Sequence, residues 1–215
     1  MPDLRITVQQ VEPAFDAVAP TLNFHLHIAN GQPLDDIHAI TLYCEVRIDG
    51  RQRRYTASEE HALVDLFGQR GRWGQRPRSL FWTTASIVVP PLSNDEVVVA
   101  LPVPCTFDFN VAATKYFRAL EGGEVPVELL FSGTVLFSHD GGPLQATHSL
   151  WHLDADYRLP VQVWQEMMDS YYPNSTWLCL RRDVADRLQQ YRSRLGIDSW
   201  ESALEALLDD APRAA

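Results

Sequence analysis

The sequence has few cysteines and no long apolar segment, two features that most directly indicate a class of fold or a metal site. Only three of its 215 residues are cysteines, Cys44, Cys105 and Cys179, and they are widely spaced. This pattern encodes neither a disulfide framework nor a CxxC zinc site, so we expect reduced, buried thiols. No stretch approaches the roughly 20 apolar residues of a membrane-spanning helix, and the first ten residues lack the charged start and apolar run of a signal peptide. We therefore expect a cytoplasmic protein without a membrane span.

Sequence motifs of catalysis are also lacking. The chain contains no Gly-x-Ser-x-Gly, no phosphate-binding glycine loop, no His-Glu-x-x-His and no dinucleotide-binding fingerprint. This absence favours a non-catalytic protein over an enzyme, and it indicates no cofactor. The net charge of −10 opposes binding to nucleic acid or to anionic membranes, because the overall field repels phosphate.

The composition that remains is typical of a globular protein. Hydrophobic residues make up 46% of the chain and charged residues 21%. At roughly 150 residues per domain, the length allows one large domain or one domain with a small appendage. We therefore expect a single core with a short extension.

The first 158 residues predict an antiparallel β-sandwich, because apolar residues recur with period two between turn signals. Alternation is clearest over residues 22–28 and 40–48, and Asp49-Gly50 reads as a hairpin turn after the second of these strands. Further strands are predicted at 80–89, 97–103, 127–137 and 144–153. Short helical insertions are predicted at 58–67, with Ser58 as its cap, and at 110–121.

At Pro160 the period changes from two to about 3.6. Helices are predicted after Pro160, over 183–195 and over 199–208, with Gly196 as a C-terminal cap between the last two. We assign residues 159–209 to a C-terminal helical appendage packed on the sandwich and residues 210–215 to a disordered tail. The predicted fold class is α+β, an antiparallel β-sandwich with short helical insertions and a C-terminal helical segment.

The candidate metal ligands are His25 and His27. Side chains two apart on a strand share a face at roughly 7 Å, so both imidazoles can reach one ion. His38 and Cys105 are the further ligands that such a site could recruit. The competing interpretation is two polar residues on a solvated strand face, and the missing acid-plus-histidine pattern favours it.

The candidate binding residues lie in a basic loop over residues 69–78. Residues 51–78 carry seven arginines against three acids, in a chain that is otherwise acidic. Guanidinium groups interleaved with an indole are typical of a protein interface or an anion site. The alternative is a solvated basic loop whose tryptophan folds back as an anchor. The candidate residues are Arg70, Arg72, Trp73, Arg76 and Arg78.

Several short segments of the chain together form a distinctive set: Leu66-Phe67-Gly68, Arg72-Trp73, Val103-Pro104-Cys105-Thr106-Phe107-Asp108, Lys115-Tyr116-Phe117, Leu130-Phe131-Ser132-Gly133-Thr134 and Pro160-Val161-x-Val163-Trp164. This set resembles an uncharacterised bacterial, mainly actinobacterial, domain-of-unknown-function family that is often encoded near [NiFe] hydrogenase genes. The resemblance implies an accessory role with a protein partner, such as a hydrogenase component, and it assigns no functional residues.

Two functions remain open at this point. The first is a non-catalytic accessory or protein-binding protein, in line with the missing catalytic motifs, the basic loop and the resemblance. The second is a metal-binding protein or metal-dependent enzyme that uses the strand with His25 and His27. Neither interpretation sets an oligomeric state.

Overall fold

The computed structural model of the chain describes residues 2–32, 35–68, 79–106, 110–148, 153–175 and 177–210. Its strands are β1 (Leu4–Pro13), β2 (Thr21–Asn30), β3 (Asp35–Ile48), β4 (Leu80–Val89), β5 (Glu96–Pro104), β6 (Glu124–His139), β7 (Gln145–Thr147) and β8 (Leu153–Pro160). Its helices are α1 (Ala57–Ala62), α2 (Val64–Phe67), α3 (Val111–Arg118), α4 (Val161–Tyr171), α5 (Arg182–Leu195) and α6 (Trp200–Asp209). The predicted class, mixed α+β with antiparallel sheets, is confirmed.

Two antiparallel sheets form the first of two compact units, Met1–Ser175. One has the order β1-β2-β5. In the other, β4, β3 and β6 are neighbours, and both β7 and β8 pair with β6, along different parts of its length. The edges of the two sheets approach each other, with β4 beside β5 and β1 beside β8.

The period-two pattern of the strands places one face of each sheet in the core. In β2, alternate side chains from Leu22 to Ile28 are fully buried, and the residues between them are half-buried. In β3 the same alternation buries Ile40, Leu42 and Cys44. Side chains on successive residues of a strand point to opposite faces, so Tyr43 and Glu45 lie on the outer face of the five-stranded sheet.

The structure corrects three local predictions. Asp49 does not begin a hairpin: its side chain accepts the backbone N–H of Arg51 and caps a short 3-10 turn, Gly50–Gln52. The helix predicted over 58–67 starts at Ala57 and divides at Leu63 into α1 and α2. Its cap is Thr56 in place of Ser58, because Thr56 and Glu59 form a reciprocal capping box.

The third correction concerns the strand predicted over 144–153. The structure has β7 over Gln145–Thr147 and a separate strand, β8, over Leu153–Pro160. The sequence of β8 does alternate between apolar and polar residues from Leu153 to Leu159, and two of the apolar residues, Ala155 and Leu159, are buried. The prediction is wrong because it places the strand before this alternation, which pairs with β6 in the structure.

Helix α4 packs against β1, β2 and α3 within the first unit. The second unit, Thr176–Ala215, contains α5 and α6. Gly196 ends α5 at φ 65°, a left-handed conformation that favours glycine, and Ser199 caps α6 by accepting the N–H of Ser202. Across the described residues, no helix combines the length and the apolar character needed to cross a bilayer.

Candidate functional site

A trough of about 1080 Å³ lies on the outer face of the five-stranded sheet. We call it the sheet trough. Its floor is built from two cross-strand rows. The first row runs Thr84, Glu45, Leu130, Asp154 across β4, β3, β6 and β8, and the second runs Ser86, Tyr43, Ser132 across β4, β3 and β6. Pro102 and Pro104 of β5 also line it.

The trough is acidic. Glu45, Glu128 and Asp154 line it, and none of its described lining residues is Lys, Arg or His. Arg47 lies two residues from Glu45 and donates from Nε to its Oε1 at 2.6 Å, and it also lies opposite Glu128 on β6. Three carboxylates against this one guanidinium group leave the surface with an excess of negative charge.

Large apolar side chains are exposed on the same face of the sheet. Tyr43 is 57% exposed, Phe81 54% and Val88 72%, and Leu136 is also exposed. All four lie on the outer face, because Tyr43 and Leu136 alternate with buried residues of their strands, and Phe81 and Val88 pair with outward residues of β3. Exposed aromatic side chains beside charge are typical of protein interfaces, in which tyrosine and phenylalanine are enriched.

Sequence reasoning missed this surface. The outward residues of β3 alternate with core residues, and this alternation indicates which of them face away from the core. It does not indicate that Glu45 lies in one row with Leu130 and Asp154, which are far away along the chain. The only local signal is Tyr43, an aromatic residue at an outward strand position.

The structure places His25 and His27 on one face of β2, as the sequence predicts, but engages them with different neighbours. Nε2–H of His25 donates to Oε1 of Glu12 on β1 at 2.9 Å. Nε2–H of His27 donates to Oε2 of Glu96 on β5, also at 2.9 Å. A carboxylate can only accept, so each ring nitrogen carries the proton in its pair. The two imidazoles therefore reach toward opposite sides of the strand.

The further ligands considered for a metal site also have other partners. His38 Nε2 lies 2.8 Å from Ser138 Oγ. Cys105 is fully buried, its Sγ is 3.4 Å from the Val103 carbonyl oxygen, and burial raises the pKa of its thiol. Within the described ranges, no three His, Cys, Asp or Glu side chains are grouped so that they could hold an ion.

The predicted binding loop, Arg70, Arg72, Trp73, Arg76 and Arg78, lies outside the described residues. Its role in binding stays a prediction from the sequence.

Comparisons with known proteins identify a family for the chain. A family model described as "Family of unknown function (DUF6084)" matches residues 1–215. None of the curated proteins matches the chain. Among solved structures, β-glucosidase 3B from Thermotoga neapolitana in complex with α-D-glucose is similar at 12% identity and a TM-score of 0.23. That match covers 68% of this chain but only 17% of the other, and a TM-score so low carries no inference.

Proposed function

The chain belongs to the family of unknown function DUF6084, and we propose that it is a non-catalytic accessory protein that binds a protein partner through the sheet trough. The observation that carries the proposal is the composition of this surface. Three carboxylates and the exposed ring of Tyr43 share one trough on the outer face of a sheet.

The charge of the trough indicates the kind of partner. Glu45, Glu128 and Asp154 are contributed by three different strands and surround apolar surface from Leu130. A basic segment that also carries apolar side chains would complement both properties. Complementary charge speeds encounter and suppresses wrong partners. The partner surface we expect is therefore rich in Arg or Lys with interspersed apolar residues.

The shape of the trough favours a protein over a small molecule. Sites for small ligands are mostly enclosed, apolar clefts with a few placed polar groups. Here hydroxyl and carboxylate side chains such as Ser86 and Glu128 alternate with apolar ones on a sheet face, and Tyr43 is more than half exposed. A broad, half-polar surface of this kind is typical of a non-obligate protein interface.

The partner we propose is a hydrogenase component, on the basis of the sequence resemblance alone. The second candidate function, metal binding through His25 and His27, has no observation in its favour beyond their shared strand face. It remains an alternative for direct measurement.

The test compares two double charge reversals in affinity capture from the source organism. The trough variant carries Glu128→Lys with Asp154→Lys, and the matched control carries Glu166→Lys with Asp169→Lys on the exposed side of α4. Both change the net charge equally, so a general electrostatic effect would appear in both. We expect the wild type and the control to retain the same partner and the trough variant to lose it.

The proposal is overturned if no partner is recovered with the wild type, or if both variants retain or lose it equally. A partner that is lost only with the trough variant but is not a hydrogenase component supports the binding surface and rejects the hydrogenase link. Tyr43→Ala should weaken capture without charge change, since the ring is exposed and contributes little to folding.

A further inference from the structure

The second unit consists of two amphipathic helices with little core of their own. Among its described residues, 177–210, only Ala203 is buried. The hairpin is held by local contacts: the Arg192 guanidinium lies 4.2 Å from the centroid of the Trp200 ring, joining the end of α5 to the start of α6. A unit of 40 residues is at the lower limit of what folds without a metal, disulfides or association. We therefore expect its exposed apolar side chains to be buried against another surface.

A groove of about 550 Å³ runs between the two helices. Val184, Leu188 and Tyr191 of α5 form one side, at the spacing that places residues on one helix face, and Leu207 of α6 forms the other. The charged side chains that line the groove are Arg187 and Arg194. The groove is thus apolar at its base and positively charged at its rim.

The outward face of α6 has the complementary composition. Leu204 and Leu208 are exposed, at 36% and 73%, and lie one helical turn apart. Glu201 and Glu205 lie beside them at the same spacing. The charged residues of α6 are all acidic, whereas α5 has four arginines against two aspartates. An apolar stripe flanked by carboxylates fits an apolar groove flanked by guanidinium groups.

We propose that α6 of a second copy of this chain occupies the groove between α5 and α6, and that the exchange is reciprocal. One hairpin carries both the groove and the helix that fits it, so a two-fold arrangement satisfies both copies at once. An amphipathic helix in an apolar groove is a common recognition mode. This dimer is independent of the sheet trough, which belongs to the first unit.

The first experiment measures the mass of the full chain by sedimentation equilibrium over a range of concentrations. The wild type should form a dimer. Leu204→Glu with Leu208→Glu should raise the dimer dissociation constant by about 30-fold or more, the size expected for central apolar contacts. The control, Leu144→Glu, replaces a leucine of the first unit that is 63% exposed, a value between those of Leu204 and Leu208, and should leave the dimer unchanged.

The second experiment uses charge reversal in two separate chains. One carries Arg187→Glu with Arg194→Glu, and the other carries Glu201→Arg with Glu205→Arg. Alone, each places like charges across both halves of the two-fold interface and should dissociate. Mixed, they form a heterodimer in which both halves are again complementary, so the dimer mass should return. Circular dichroism of each variant checks that α5 and α6 remain helical.

Three outcomes overturn the proposal. In the first, the wild type is monomeric at every concentration. Alternatively, a wild-type dimer persists unchanged in the Leu204 and Leu208 variant, so its interface lies elsewhere. Finally, folded charge-reversal chains, mixed together, fail to recover the dimer that each has lost.

Discussion

Arg53 donates from Nη2 to Oε1 of Glu59 at 2.7 Å, and both side chains are buried, with 9% and 3% of their surface exposed. Each of the two side chains also forms hydrogen bonds with backbone groups. Glu59 also accepts the backbone N–H groups of Thr56 and Glu121, at 2.9 and 3.0 Å, and Arg53 also donates to the carbonyl groups of Gly122 and Glu124. The pair therefore fastens the start of α1 to the turn between α3 and β6.

Removing one charge of this pair should destabilise the fold strongly. Glu59→Gln keeps the size of the side chain but leaves the Arg53 guanidinium buried without its counter-charge, at an expected cost of about 3 kcal/mol. Urea denaturation measures the change. Glu166→Gln, on an exposed face of α4, is the control and should change stability by less than about 0.5 kcal/mol.

Replacing both partners should not restore stability. Buried ion pairs can often be exchanged for apolar residues at little cost, but here Arg53→Met with Glu59→Leu also strips four backbone groups of their hydrogen bonds. Recovery of wild-type stability in this double variant would contradict the role assigned to the pair.

Stability should fall in acid partly through Glu59. Burial by itself raises the pKa of this carboxyl, but the N–H groups of Thr56 and Glu121 and the Arg53 guanidinium outweigh it and hold the pKa below its ordinary value of 4.5. The unfolded chain, with the higher pKa, therefore takes up the proton first as pH falls, which favours unfolding. The contribution of Glu59 is full above the unfolded pKa and is lost as pH falls through the folded one.

The difference in unfolding free energy between wild type and Glu59→Gln should therefore shrink as the pH falls from about 6 through the ordinary pKa of 4.5 and below it. Urea titrations at a series of pH values measure it. A difference that stays constant or grows in acid would show that the Glu59 charge does not stabilise the fold.

Phe117 of α3 should be a critical core residue. Its ring is stacked on Trp164 of α4, with centroids 4.9 Å apart and planes 11° from parallel, and its centroid lies 5.0 Å from that of Trp82 on β4. Phe117→Ala leaves a cavity among three elements and should cost about 3 to 5 kcal/mol. Phe117→Leu refills most of it and should cost clearly less. Equal losses, measured by denaturation, would mean that the lost volume is not the cause.

The two strand histidines should not form a shared metal site. Each Nε2 is engaged by a different carboxylate, Glu12 or Glu96, so a shared ion would have to break both pairs. We expect titration calorimetry with Zn²⁺ or Ni²⁺ to give the same result for untagged wild type and for His25→Ala with His27→Ala. Stoichiometric binding that either single substitution abolishes would establish the metal alternative.

Much of the local structure could be predicted because its causes lie within a few residues. Period-two alternation identifies β2 and β3, and Gly196 sets the end of α5. Local sequence signals also gave a wrong prediction at one turn. Asp49 carries a hairpin signature, yet its side chain caps a 3-10 turn, and β3 pairs with β4 and β6 and not with the residues directly after that turn.

By itself, the sequence determined the α+β class, the outward positions of each strand and the helical hairpin, since these follow from side-chain periodicity and end caps. Only the tertiary structure decided which outward residues meet. Glu45 and Asp154 lie in one row because β6 pairs with both β3 and β8, and His25 and His27 are drawn apart because β2 lies between β1 and β5. Strand order and register depend on how the whole core packs. The period-two pattern of a strand shows which of its faces is buried but not which strand it pairs with.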